Sequence, residues 1–278
     1  MKRITGLSPW RIVNMYRQHF GLKAAPLDKG ITELWEDGAL AHLRERFSWL
    51  LKSPGIGLLT GEPGVGKTAA IRHLVQPLNP HLFQVIYTAE TDFERGDIYQ
   101  TLGHSFGLEP YYRRAKMWRD LKEAIRDRVE QHNRVPVWII DEAQNLPMAF
   151  FRDLPSFLNF SLDSQDLMTV WLVGHPVLAH VLDRAPYAAL SGRIQTRVQL
   201  KPLIERERFI QLIQHGLKVA GCEHNLMTES GMELLRQSSQ GLPRQAGRTL
   251  RYAMRLAVPK GLNHLPDDLI QQAIEELR

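Results

Sequence analysis

The chain has 278 residues with 35 Lys and Arg against 30 Asp and Glu, a net charge of +5, and 44% hydrophobic residues. That is long enough for one large domain or two small ones with a proper core, and basic enough to permit nucleic-acid binding without arguing for it. A single cysteine, Cys222, excludes an intramolecular disulfide; no apolar run reaches bilayer length and the start, Met1 to Gly6, leads into no signal-peptide core, so the expectation is a cytoplasmic protein without a membrane partner.

Residues 1–38 read as an N-terminal extension: Pro9 to Phe20 is amphipathic and ends at Gly21, and a loop through Pro26 follows. From Ala39 to Leu51 the residues Leu40, Leu43, Phe47, Leu50 and Leu51 share one helical face. Ser53-Pro54-Gly55 stops that helix and delivers the chain into a short apolar strand, Ile56-Gly57-Leu58-Leu59. The next eight residues after Thr60 are Gly61-Glu62-Pro63-Gly64-Val65-Gly66-Lys67-Thr68, and a helix follows from Ala69 to Val75. Their spacing, G-x-x-x-x-G-K-T, is that of a phosphate-binding P-loop. Its glycines let successive N–H groups turn toward an anion, and the helix N-terminus adds its dipole. Residues Gly61 to Ala69 are therefore the expected contacts to a nucleoside triphosphate, with Lys67 reaching the β- and γ-phosphates and Thr68 taking one position on Mg²⁺.

A second strand is expected at Phe83 to Thr88, a short helix from Asp97 to Gly107, and a long charged helix from Ala115 to His132. Between the two helices lies Tyr111-Tyr112-Arg113-Arg114-Ala115-Lys116, three cations and two aromatics in six residues. The third strand, Val135 to Ile140, ends in Asp141-Glu142. A parallel sheet presents such acids at its carboxyl edge, where Asp141 would hold Mg²⁺ and Glu142 would orient or deprotonate an attacking water. Strands at Met168 to Val173 and Thr196 to Leu200 complete five, each separated by helical segments. After Lys201-Pro202 come four helices and no strand, with Gly221, Gly241 and Gly261 at C-cap positions. The expected fold is α/β, a parallel five-stranded P-loop sheet covered by helices over 39–203, with an all-helical domain at 204–278.

P-loop, apolar strand ending in Asp-Glu, and helical C-terminal lid together resemble the AAA+ ATPases, over about residues 39–278. The resemblance implies hydrolysis of ATP to ADP and phosphate. It gives His175, after the fourth strand, the place of the γ-phosphate sensor. Arg193, or second Arg197, takes the place of the finger that acts on a neighbouring subunit's nucleotide. Arg244, in Gly241-Leu242-Pro243-Arg244, takes that of the lid arginine contacting the phosphates. Tyr16 to Lys23, Asp141 to Leu146 and Leu172 to Pro176 are similar to the ExeA-like branch, which includes secretion ATPases and transposon-encoded helpers. Secretion members continue into a membrane span and a peptidoglycan-binding module, which this sequence lacks, so the compact form resembles transposition ATPases of the Mu B and TnsC kind. That likeness implies a regulator that oligomerises with ATP into rings or helical filaments on duplex DNA and recruits a transposase; a secretion-associated motor ATPase is the alternative. On the transposition reading Arg113, Arg114 and Lys116 track the DNA backbone. The other reading of that stretch is a solvated loop opening a basic helix.

Overall fold

The computed structural model describes residues 15–30, 33–90, 94, 96–160 and 165–278. They form two compact units. One comprises Glu36–Pro63 and Lys67–Leu200; the other comprises the described residues up to Trp35, Gly64–Gly66, and Lys201–Arg278.

In the first unit five apolar runs become strands β1 (Ile56–Gly61), β2 (Phe83–Thr88), β3 (Val135–Ile140), β4 (Thr169–Gly174) and β5 (Ile194–Leu200). They pair in the order β2-β3-β4-β1-β5, and each pairing is parallel. β5 begins at Ile194, two residues before the start expected from the sequence. β1 and β4 are buried at every position, as strands with neighbours on both sides and helices on both faces must be. The edge strands β2 and β5 alternate instead between buried and exposed residues. Pro136, which has no N–H to give a ladder, sits one residue before the β3–β4 pairing begins at Val137↔Thr169.

The helices of this unit are α1 (Gly38–Lys52), α2 (Lys67–Val75), α3 (Asp97–Ser105), α4 (Arg114–Glu130), α5 (Met148–Phe157), α6 (Pro176–Leu182) and α7 (Ala188–Ser191). Asp37 caps α1 by accepting the Leu40 N–H at 2.8 Å. Side chains of α3, α4, α5 and α6 bury Leu58, Trp138, Ile140 and Leu172 on one sheet face. Trp171 points the other way and stacks on Phe47 of α1, with centroids 5.5 Å apart. The sheet is thus sandwiched. Its order also places the end of β4 between the strand that feeds the P-loop and the strand that ends in Asp141-Glu142.

The second unit holds α8 (Arg206–Val219), α9 (Glu229–Ser239), α10 (Pro243–Ala257) and α11 (Asp267–Glu276). Its core includes Phe209, Ile213, Leu250, Met254 and Ile270, and also Tyr16, Phe20 and Leu22. The sequence sets residues 1–38 apart as an extension. In the structure the described residues of that stretch up to Trp35 group with the C-terminal helices; the beginning of the amphipathic run, before residue 15, lies outside the described residues. The N–H groups of Lys23 and Ala24 donate to the Ala220 carbonyl, and the Arg251 guanidinium donates to the carbonyls of Pro26 (2.7 Å) and Leu27 (3.1 Å). Leu27 fills the space left by two glycines, since a Cβ at Gly216 or Gly247 would come within 2.7 or 2.8 Å of it.

Of the expected glycine caps, Gly221 and Gly261 adopt positive φ where their helices end. At the end of α9 the cap residue is Gln240, itself left-handed at φ 52°, and Gly241 follows at φ 71°. Among the described residues no helix is long and apolar enough to cross a membrane.

Candidate nucleotide site

The P-loop leaves β1 at Gly61 and enters α2 at Lys67. Gly64 and Gly66 hold φ of 87° and 110°, a region that L side chains rarely adopt; at Gly66 a Cβ would meet nothing within 4 Å, so conformation rather than space requires glycine there. Lys67 is only 6% exposed, an unusual place for an ammonium. Its Nζ donates to the carbonyls of Gly61 (2.8 Å) and Glu62 (3.3 Å), which offset the cost of burial.

Asp141 is also buried, and its carboxylate gathers three donors. The Thr68 hydroxyl reaches Oδ2 at 2.7 Å, the Tyr87 hydroxyl reaches the same oxygen at 2.9 Å, and the Glu142 N–H reaches Oδ1 at 2.9 Å. The first of these ties the P-loop to the end of β3. The second comes from β2, whose last residue, Thr88, lies in register with Ile140. Partial burial, the hydrogen bond to Asp141 and the charges of Asp141 and Glu142 push the Tyr87 phenol well above its ordinary value, so it remains a donor at neutral pH. Thr68 and Asp141 offer adjacent hard oxygen donors, which fit Mg²⁺, a cation usually held by one or two carboxylates, phosphate oxygens and water.

Glu142 is exposed and sits at φ 51°, ψ 35°, a left-handed conformation that costs a side-chain-bearing residue about 1–3 kcal/mol. It opens a short 3₁₀ turn, Ala143–Asn145. Gln144 in that turn donates from Nε2 to Glu142 Oε2 at 2.8 Å and accepts the His175 N–H on Oε1 at 2.9 Å. His175 caps α6: its Nδ1 accepts the Val177 N–H at 3.3 Å, so the neutral ring carries its proton on Nε2. That nitrogen lies 3.2 Å from the Glu62 carboxylate in the P-loop. Four residues, Glu62, His175, Gln144 and Glu142, thereby form one hydrogen-bonded series around the end of β4.

The outlying candidates have partners of their own. Arg193 precedes β5 and donates from Nη1 to the Pro155 carbonyl in the last turn of α5 at 3.0 Å, a favourable place for a cation. Arg197, within β5, donates to Asp183 (2.8 Å) and to the Ser191 hydroxyl (2.7 Å). Arg244 lies in the first turn of α10, and its N–H donates to the Gly64 carbonyl at 3.2 Å. In the basic stretch, Arg114 pairs with Asp153 at 2.5 Å and Lys116 with Asp120 at 2.6 Å. Arg113 lies over the Tyr112 ring, 5.5 Å from its centroid.

Residues 50–182 match the family described as the AAA domain. This stretch is similar to an AAA domain and takes up just under half of the chain. The fold is the AAA+ fold seen in the Aeropyrum pernix ORC1 protein in complex with DNA, with a TM-score of 0.68 at 16% identity over 90% of this chain and 68% of that one. Cdc6p from Pyrobaculum aerophilum gives 0.66 at 15% identity, over 94% and 70%. Among curated proteins, General secretion pathway protein A of Aeromonas hydrophila is 30% identical over 239 residues, 83% of this chain and 42% of its own length. An uncharacterised HTH-type transcriptional regulator of Methanocaldococcus jannaschii is 24% identical over 65% of this chain and 44% of its length. The chain therefore spans less than half of either curated relative.

Within residues 50–182, sequence motifs reached Lys67, Thr68, Asp141 and Glu142, and the fold brings these to one edge of the sheet. They missed Tyr87, which strand adjacency delivers, and assigned nothing to Gln144 or to the side chain of Glu62. The transposition likeness rests on sequence motifs alone, whereas the curated relative from Aeromonas belongs by its name to a secretion pathway.

Proposed function

We propose that the chain binds ATP with Mg²⁺ at the P-loop, hydrolyses it, and works as a secretion-associated motor ATPase, a reading that follows the name of its relative General secretion pathway protein A. The observation that carries the hydrolytic part is the 2.7 Å hydrogen bond from Thr68 to Asp141, which joins the phosphate-binding loop to the acid-bearing end of β3. The secretion part is supported by 30% identity across 83% of this chain.

In this mechanism the P-loop N–H groups and Lys67 hold the phosphate oxygens. Thr68 and Asp141 hold Mg²⁺, which when bound offsets phosphate charge. Glu142, exposed beside the phosphate end of the site, takes a proton from the attacking water. The new bond forms from that water's oxygen to the γ-phosphorus, the bond to the β–γ bridging oxygen breaks, and ADP leaves with the electron pair. His175, Arg193 and Arg244 serve as phosphate sensor, neighbour-directed finger and lid contact.

A second reading, a DNA-assembling transposition regulator with duplex DNA and a transposase as partners, is favoured by one feature. Tyr111 and Tyr112 stack at 5.0 Å beside exposed Arg113, an arrangement that holds a cation at the surface where a phosphate backbone could meet it. The pairing of Arg114 and Lys116 with acids weakens it. Phosphate release from ATP by the purified chain distinguishes the cases. Turnover in Mg²⁺, lost in EDTA and indifferent to added duplex DNA, is the expected result; stimulation by DNA would favour the second reading, and neither binding nor release would refute both.

A further inference from the structure

We propose that Gln144 is a positioning residue for Glu142, a carboxamide clasp that fixes the direction of the carboxylate and couples it to the end of β4. The inference rests on the hydrolytic reading in that it takes Glu142 as the carboxylate that activates water.

The polarity of the amide follows from its neighbours. A backbone N–H only donates, so the atom facing His175 N at 2.9 Å is the carboxamide oxygen. A carboxylate only accepts, so Nε2 faces Glu142 Oε2 at 2.8 Å. Reversing the amide would break both hydrogen bonds at once. Glutamate in this place could accept from His175 but could not donate to Glu142, and asparagine, one methylene shorter, would lose one end.

The surroundings hold the clasp in place. Ala143 and Leu146 are buried on either side and anchor the 3₁₀ turn. Gly174, the last residue of β4, leaves room for the amide: a Cβ there would lie 2.5 Å from Gln144 Oε1. Glu142, by contrast, is exposed on a backbone turned into the left-handed region. An exposed glutamate ordinarily samples several rotamers, and restricting it to one needs a partner. Gln144 is that partner. Because its other end grips the N–H of His175, whose ring meets Glu62 of the P-loop at 3.2 Å, a shift at the loop or at the end of β4 reorients the carboxylate.

The test is steady-state ATP hydrolysis and fluorescent-ATP titration for wild type, Gln144→Ala, Gly174→Ala and the double variant. A misdirected base costs rate and spares binding. Gln144→Ala should therefore lower kcat by roughly 10- to 100-fold, with KM and nucleotide affinity held within about twofold. Gly174→Ala should lower kcat similarly, by pushing the amide off Glu142. Combined, the two should cost little more than Gln144→Ala alone, because the nearest atom that the methyl strikes is gone and the Leu178 side chain, 3.1 Å from that Cβ, has only a few tenths of an ångström to give. Gln144→Glu should fail to restore activity. Nucleotide affinity reports the fold of each variant. A kcat for Gln144→Ala within about threefold of wild type, or losses that multiply in the double variant, would overturn the clasp. Wild type that binds ATP without hydrolysing it would instead refute the hydrolytic reading, and the clasp with it.

Discussion

Replacing Lys67 by alanine removes a buried ammonium that already has two partners, the carbonyls of Gly61 and Glu62. Nucleotide binding exchanges carbonyl oxygens for phosphate oxygens, so what the variant loses is the difference between them. A hydrogen bond to a charged group is worth about 1.5–3 kcal/mol net. Taking about 2–3 kcal/mol for the exchange gives a fall in ATP affinity of roughly 30- to 150-fold. The unliganded protein should also suffer, because the buried Gly61 carbonyl loses a donor. About 1 kcal/mol there corresponds to a fall in Tm of roughly 2–4 °C. Anisotropy titration with a fluorescent ATP measures the first number and thermal unfolding the second. Added ATP should then stabilise wild type more than the variant at the same concentration. Affinity within about threefold of wild type would refute the assignment of Lys67 to phosphate, whatever happened to Tm.

Glu142→Gln keeps an oxygen that can accept from Gln144 but discards the base, so ATP should bind normally while turnover falls by about 10²–10⁴; near-normal phosphate release would move the base elsewhere. Gly241→Ala places a methyl 2.5 Å from the Leu203 carbonyl oxygen at a φ of 71°, and urea unfolding should show a loss of at least about 2 kcal/mol; a loss below about 0.5 kcal/mol would contradict that geometry. Replacing Arg113, Arg114 and Lys116 together by alanine should leave ATP affinity intact. If DNA binds there, anisotropy across salt concentrations should show a slope shallower by roughly 0.9 for each phosphate no longer neutralised, and an unchanged slope would place any DNA surface elsewhere.

Strands and helices were legible because their signals are local. Apolar runs such as Val137 to Ile140 and the face of Leu40, Leu43 and Phe47 announce burial without naming the partner. The P-loop and Asp141-Glu142 were legible for a similar reason, since the chemistry needs those residues at fixed covalent spacing. Pairings across long separations were hidden. The Tyr87–Asp141 hydrogen bond depends on β2 lying beside β3, and the role of Gln144 depends on β4 ending next to the turn that carries it. Part of the pairing in the basic stretch was hidden in the same way. Its cations could be counted, and Lys116–Asp120 is one helical turn apart, but Asp153, which meets Arg114, lies on a different helix. The N-terminal segment shows the problem most plainly: an amphipathic pattern at Tyr16 and Phe20 states that a face must be covered, and the cover is supplied by α8 to α11.

That last arrangement bears on synthesis. Tyr16, Phe20, Leu22 and Leu27 emerge from the ribosome early, whereas Phe209, a fully buried member of the same core, follows about 180 residues after Leu27, a wait of roughly 10–40 s at 5–20 residues per second. Every residue of the sheet unit, Glu36–Pro63 and Lys67–Leu200, has been made before then. It can close around its own core on the nascent chain while the early apolar residues remain uncovered. The helical unit, built from both flanks of the sheet unit, can close only after the helices from Arg206 onward have been made.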